Sequence, residues 1–293
     1  MAGTRDAARE AIEAHQAAGR RFVAGGVETF VREQGDGAPV VLLHGVPTSS
    51  FLYRKVVPAL AEQGLRAIAF DFPGLGLADR PSGFDYGWSG LADWTRKAMD
   101  ALGIERCHLV VHDIGGPIGC EWAVAEPDRV LSLTALNTML GLATFRRPWS
   151  MAPFAIPGIG RLAVGTLTPW AFARIFYLQG VADRAAVPRH EVYAHYALLK
   201  RGDGGRAFRR VMRGFALSEA RQRLLWEGLA KRSYPTRIVW GERDAAIGLD
   251  QLRLAQEALR VDDPILLPAK HFLQEDHPTA VAQAIADLAA PLG

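Results

Sequence analysis

Short apolar runs alternate with helix-spaced patterns along most of this chain, an order that fits a parallel sheet with helices on its faces and little else. PVVLLHG (39–45) is a continuous apolar run, as a strand covered on both sides requires, and VETFVRE (27–33) alternates like a half-exposed one. RAIAFD (66–71), CHLVVHD (107–113), VLSLTAL (130–136), TRIVWG (236–241) and PILLP (264–268) complete a set of seven strands. Helical patterns separate them near Ser49 to Gln63, Trp88 to Leu102, Gly116 to Ala125, Leu249 to Leu259 and from His277 onward. The rhythm breaks after Asn137. Some ninety residues rich in Arg, Trp, Pro and Phe show helical patches (171–179, 189–201, 205–217, 218–230) and no strand. One α/β domain (1–137 and 233–293) interrupted by a helical insertion (138–232) explains this better than two independent domains.

The chain of 293 residues is long enough for such a domain and its insertion. No run of about 18 apolar residues is free of charge or proline, which argues against a membrane-spanning helix. The segment from Thr4 to Arg20 is charged and alanine-rich; it reads as a surface helix rather than a secretory signal, and a cytoplasmic location is expected by default. Cys107 and Cys120 have no metal-ligand spacing around them and read as buried, reduced thiols. The net charge of +3 is unevenly spread, with 16 Arg and Lys against 5 Asp and Glu in 138–232. A solvated arginine-rich face is the simpler reading of that excess, and steering of an anionic substrate the other. Without aromatic interleaving or a known binding motif, nothing points to nucleic acid.

The chemistry concentrates in Val110-Val111-His112-Asp113-Ile114-Gly115-Gly116, which closes one strand and opens a helix. A nucleophile in such a turn stands above the sheet with a helix N-terminus behind it, and the tightness of the turn demands Gly115. Asp244 follows strand 236–241 in WGERD, and His271 follows strand 264–268 in PAKHF. Both therefore sit at carboxyl ends of strands, where an open parallel sheet builds its site. The order nucleophile, acid, histidine along the chain is itself a signature. His44-Gly45-Val46-Pro47 follows an earlier strand and is positioned to supply a backbone N–H to the same site.

HGVPTSSFLYR (44–54), DFPGLGLADRP (71–81), HDIGGPIG (112–119), WGERD (240–244) and AKHFLQEDHP (269–278) together resemble the haloalkane dehalogenase and epoxide hydrolase branch of the α/β-hydrolases. The likeness runs from about residue 27 to the end. It implies an α/β-hydrolase fold: a mostly parallel eight-stranded sheet flanked by helices, with a helical cap at 138–232 inserted after strand six. It also implies Asp113 as nucleophile, His271 as base and Asp244 as its orienter. A carboxylate suits attack on an sp³ carbon, because the resulting alkyl ester is hydrolysable whereas the ether from a serine would not be. The ester oxyanion is expected to be held by the backbone N–H groups of Val46 and Ile114.

Two departures from the family pattern bear on the substrate. Dehalogenases of the branch carry a side-chain donor for the halide directly after the nucleophile and another after the His-Gly pair; here those places hold Ile114 and Val46, which have none. Trp149 or Trp170 of the cap is then the candidate substitute. Epoxide hydrolases of the branch use cap acids, and Tyr177, Tyr193 and Tyr196 are the candidates, with His190 and His195 as stand-ins. Helical spacing puts Tyr196 on the face of Val192 and Leu199. Loss of both usual halide donors tips the sequence reading toward epoxide opening, with dehalogenation as the alternative. A ligand-binding protein on a retired hydrolase scaffold is the rival of another class. No cofactor or metal is expected, and a small, largely apolar molecule and water are the expected partners; the oligomeric state is unreadable. His112 is expected to anchor its strand end, His44 to support its loop, Lys270 to reach solvent, and Glu275 and His277 to open the last helix. Gly74 and Gly76 lack the strand and helix of a dinucleotide site.

Overall fold

Successive residues of the central strands point into two different cores. In the computed structural model, which describes residues 2–290, Val41 and Leu43 of β3 (Pro39–Leu43) join one apolar cluster while Val40 and Leu42 join another on the opposite face. Leu109 and Val111 of β5 (Cys107–Asp113) part from Val110 in the same way. This period of two, with both faces buried, is why these strands read as unbroken apolar runs. Each fully buried Val or Leu contributes about 1.5–3 kcal/mol.

The remaining strands are β1 (Gly19–Ala24), β2 (Val27–Gln34), β4 (Arg66–Phe70), β6 (Val130–Thr138), β7 (Thr236–Gly241) and β8 (Ile265–Leu267). The eight form one sheet in the order β1-β2-β4-β3-β5-β6-β7-β8. β2 pairs antiparallel with both β1 and β4, and every other pairing is parallel. The chain thus has the α/β-hydrolase fold. The strand missing from the seven apolar runs is β1: its sequence GRRFVA is mostly exposed and charged at an edge, so it gives no apolar signal. The expected N-terminal helix accordingly stops early, as α1 (Ala2–Ala17).

The sheet's helices include α2 (Val56–Glu62), α3 (Trp88–Ala101) and α4 (Gly115–Ala125). α3 is amphipathic, burying Trp88, Leu91, Trp94, Thr95 and Met99. Between β6 and β7 every regular element is helical: α5 (Ala152–Ala155), α6 (Ile159–Thr166), α7 (Pro169–Ile175), a π-turn (Phe176–Gly180), α8 (Arg189–Lys200), α9 (Arg206–Arg213) and α10 (Glu219–Leu229). Local chemistry starts two of these helices. Thr168 accepts the N–H of Ala171 with Pro169 at the first position of α7, and Ser218 accepts that of Arg221 in α10. α5 and α6 lie in a Pro- and Gly-punctuated stretch that gave no helical signal.

After β7 come α11 (Leu249–Leu259), the short α12 (Leu273–Asp276) and α13 (Pro278–Ala289). Glu275, expected to open the last helix, lies instead in the short α12 and is buried. Its carboxylate accepts from Arg54 Nη1 and Nη2, each at 2.7 Å, and lies 2.8 Å from His195 Nε2. Arg54 also pairs with Glu191 of α8, so one buried ion cluster ties the sheet domain to the helical segment. Cys107 and Cys120 are free and buried, and burial pushes both thiols up to about 12. Among the described residues, no helix is long and apolar enough to cross a membrane.

Candidate active site

Asp113 ends β5 with φ of 52°, in the left-handed region that a non-glycine residue enters only when its surroundings hold it there. Two glycines make the turn feasible. A Cβ on Gly115 would lie 2.6 Å from the Leu43 carbonyl oxygen, and one on Gly45 would lie 2.1 Å from Asp113 Oδ1. The backbone is pinned from behind by Thr138, whose hydroxyl donates to the Asp113 carbonyl at 2.6 Å.

The two carboxylate oxygens of Asp113 have different surroundings. Oδ1 accepts the Val46 N–H at 2.7 Å. Oδ2 lies 3.7 Å from His271 Nε2, beyond direct hydrogen-bond reach. Burial pushes the Asp113 carboxyl above the ordinary range, against the opposing pull of His271 and of the Ile114 and Val46 N–H groups.

His271 Nδ1 is 2.8 Å from Asp244 Oδ2. Asp244 Oδ1 accepts the N–H groups of Ala246 at 2.7 Å and Ile247 at 3.0 Å, and Oδ2 also accepts the side-chain amide of Asn137 at 2.7 Å. With Nδ1–H committed to Asp244, Nε2 is the nitrogen that faces Asp113. Burial alone lowers the His271 pKa, but Asp244, by charge and hydrogen bond, and then Asp113 outweigh it, and the net shift is upward.

The loops around these groups are cross-braced. His112 lies with Nε2 2.9 Å from the His271 carbonyl, so it steadies the His271 backbone as well as its own strand end. His44 Nε2 accepts the Phe72 N–H at 3.1 Å, which leaves its Nδ1–H to meet the Gly45 carbonyl at 2.9 Å. Lys270 does not simply reach solvent: its ammonium donates to the carbonyls of Leu178 at 2.8 Å and Tyr177 at 3.3 Å.

Asp113 and His271 face a cavity of about 70 Å³, walled chiefly by apolar side chains such as Phe172, Phe176, Phe208 and Phe215. The other polar side chains on its wall are Arg147, Ser150 and Gln179. None of the residues expected to serve as cap acid or donor is on that wall. The Tyr177 hydroxyl donates to the Val187 carbonyl at 2.7 Å, and the Tyr196 hydroxyl to that of Leu167 at 2.8 Å. Tyr193 is buried elsewhere, Trp149 and Trp170 are 64% and 59% exposed, and His195 is spent on Glu275. His190 is half-buried off the wall. Helical spacing did put Tyr196 on a packed face, but that face meets Phe172 with its ring while its hydroxyl turns to backbone. Among the described residues, no group of three or more His, Cys, Asp or Glu is arranged to hold a metal ion.

Sequence reasoning missed Asn137, Ser150 and Gln179. Asn137 left a trace as the one amide closing an apolar strand, and Gln179 as the one uncharged polar residue able to both donate and accept through an amide in ARIFYLQGV.

Residues 38–278 match the family described as alpha/beta hydrolase fold. "Haloalkane dehalogenase 2" of Mycobacterium tuberculosis is 32% identical over 264 residues, covering 86% of this chain and 88% of its own. The haloalkane dehalogenase of Psychrobacter cryohalolentis is 30% identical over 265 residues, with 85% and 82% covered. Among solved structures, epoxide hydrolase CorEH superposes with a TM-score of 0.81 at 22% identity over 94% of this chain and 99% of its own. Cfl2 from Burkholderia cenocepacia gives 0.81 at 24% identity, with 92% and 94% covered. The solved structures speak for the fold, and the curated relatives for the branch. With an aspartate in the strained turn and a histidine–aspartate pair beside it, this chain is a member of the α/β-hydrolase family, an enzyme of the branch that holds its haloalkane dehalogenase relatives.

Proposed function

We propose that this enzyme displaces halide from a small, largely apolar haloalkane, with Asp113 as nucleophile, His271 as base, Asp244 as its orienter and the helical segment 138–232 as the cap over the site. The observation that carries the reading is the asymmetry of Asp113. Val46 N–H holds Oδ1, and Oδ2 is left toward the cavity beside His271 Nε2. Attack by Oδ2 on the halogen-bearing carbon forms a C–O bond as the C–X bond breaks, and the pair of electrons leaves with the halide. Water then adds to the Asp113 carbonyl carbon as His271 Nε2 takes its proton. Oδ1 becomes the oxyanion, facing the Val46 and Ile114 N–H groups; losing one such donor costs about 2.7–4 kcal/mol of barrier. Collapse releases the alcohol and restores the carboxylate. Asp244 keeps Nδ1 protonated throughout and stabilises the imidazolium.

Halide rather than epoxide follows from the cavity wall. An opening epoxide becomes an alkoxide and needs a proton donor near the pKa of a phenol, but the Tyr177 and Tyr196 hydroxyls are committed to backbone carbonyls and Tyr193 is buried off the wall. A halide leaves without a proton. This reverses the preference drawn from sequence, which rested on the loss of both usual halide donors at Val46 and Ile114 and counted those tyrosines only as candidate acids. Two dehalogenases among the relatives of 30% identity or more support the same choice.

The test is a single turnover of a butyl halide in ¹⁸O-water with enzyme in excess. The first alcohol formed should carry ¹⁶O from Asp113, with ¹⁸O appearing in the Asp113 carboxylate. Direct attack of water on the substrate would put ¹⁸O in the first alcohol and none in the protein, and would sink the reading.

A further inference from the structure

A displaced halide needs hydrogen-bond donors, and Val46 and Ile114 offer none from their side chains. We infer that Gln179, held by Ser150, supplies one: its side-chain amide N–H receives the leaving halide. The assignment rests on the displacement reading above and adds to it the group that meets the leaving atom.

Gln179 is 9% exposed and Ser150 6%, and both lie on the wall of the cavity that Asp113 and His271 face. The Ser150 hydroxyl donates to Gln179 Oε1 at 2.5 Å. That bond uses the acceptor end of the amide and fixes which end faces elsewhere. Nε2, with two hydrogens, has no partner among the described residues. An amide donor left open at an apolar wall can be satisfied by an anion that arrives to accept from it.

The backbone around Gln179 is built to hold it in a set relation to the base. It sits in a π-turn, the local widening of a helix that recurs at functional sites. On one side, the Leu178 and Tyr177 carbonyls accept from Lys270; on the other, the Gly180 carbonyl accepts the Phe272 N–H at 2.8 Å. The residues flanking His271 therefore clamp the residues flanking Gln179. A Cβ on Gly180 would lie 2.2 Å from the Phe272 ring, so the clamp is close. Arg147 is the other nitrogen donor on the wall; its guanidinium lies over Phe215 and donates through Nη2 to the Met212 carbonyl, while its Nε is buried without a partner.

During displacement the N–H bond stays intact. Charge grows on the halogen as the C–X bond lengthens, and the amide dipole meets it in an apolar, water-poor setting where such a contact is strongest. The donor matters most for the poorest leaving group, so chloride should depend on it more than iodide.

The experiment measures the rate of Asp113 alkylation and the rate of ester hydrolysis, separately and before steady state, with butyl chloride, bromide and iodide. The Gln179→Leu variant should alkylate about 10- to 100-fold more slowly with the chloride, with a smaller loss for the iodide, and hydrolyse the ester at the wild-type rate. Gln179→Glu keeps the size and the Ser150 contact but replaces the donor with an oxygen. It should lose at least as much and weaken inhibition by free bromide, which guards against a result due to misfolding of the leucine variant. Equal losses across the three halides, or an effect confined to ester hydrolysis, would overturn the Gln179 assignment while leaving displacement intact. Absence of halide release and of an Asp113 ester in the wild type would overturn both.

Discussion

Asn137 donates its side-chain amide to Asp244 Oδ2 at 2.7 Å, the same oxygen that lies 2.8 Å from His271 Nδ1. The other end of that amide accepts the Gly241 N–H at 2.8 Å, so one side chain at the end of β6 fixes both the acid and the end of the strand that carries it. Hydrogen bonds to charged groups contribute about 1.5–3 kcal/mol. Asn137→Ala is expected to lower kcat by roughly 10- to 100-fold through misorientation of His271. Steady-state kinetics beside a circular dichroism spectrum checks this, and an unaltered kcat in a folded variant would count against the role given to Asn137.

The upward shift of His271 draws in part on the Asp113 carboxylate. Esterification would remove that charge, so the imidazolium becomes a stronger acid and the ring is more readily unprotonated, the form in which it can accept a proton from water. Asp113→Asn imitates the neutral ester. In that variant the His271 pKa is expected to fall relative to the wild type, as read by NMR titration of its ring protons. Activity, which needs Nε2 unprotonated for hydrolysis, should rise with pH through the His271 value in the ester. A His271 pKa unchanged by Asp113→Asn would mean that the two groups are not coupled as described.

The buried cluster of Arg54, Glu275, Glu191 and His195 gives a prediction about stability. Burial alone would raise the Glu275 carboxyl, but Arg54 and His195 hold it well below the usual range. Its contribution is therefore present above the ordinary glutamate value of 4.5 and is lost as the pH falls through the depressed folded value. Arg54→Ala leaves a buried carboxylate without its main partner and should cost about 3–5 kcal/mol near neutral pH. Denaturant unfolding of both proteins between acid and neutral pH measures it; a loss under about 1 kcal/mol would show that the cluster is hydrated or relaxes on truncation.

How much of this was legible in the sequence depended on whether local chemistry or long-range packing decided the matter. Central strands buried on both faces announce themselves as apolar runs, and Asp113 and Asp244 follow such runs; His271 follows β8, an exposed edge strand that is nonetheless apolar in sequence. β1 did not announce itself, because an exposed edge strand such as GRRFVA is stabilised by pairing with β2 rather than by its own pattern. The tyrosines mark the sharper limit. Periodicity told which face of α8 is packed, and could not tell that the hydroxyl of Tyr196 ends on the Leu167 carbonyl. Gln179 and Glu275 were opaque for a related reason: a polar residue carries no sign in its own neighbourhood of the partner, 29 and 221 positions away in sequence, that makes its burial tolerable.

The central claim is an alkyl ester on Asp113, and its most direct test is the intact mass of a His271→Ala variant exposed to butyl halides. Without its base the enzyme should stall after displacement. The account predicts an added mass of one butyl group less one proton, the same for chloride, bromide and iodide, carried by the peptide containing Asp113. A variant that stays unmodified while the wild type releases halide, or that is alkylated on another residue, would contradict it.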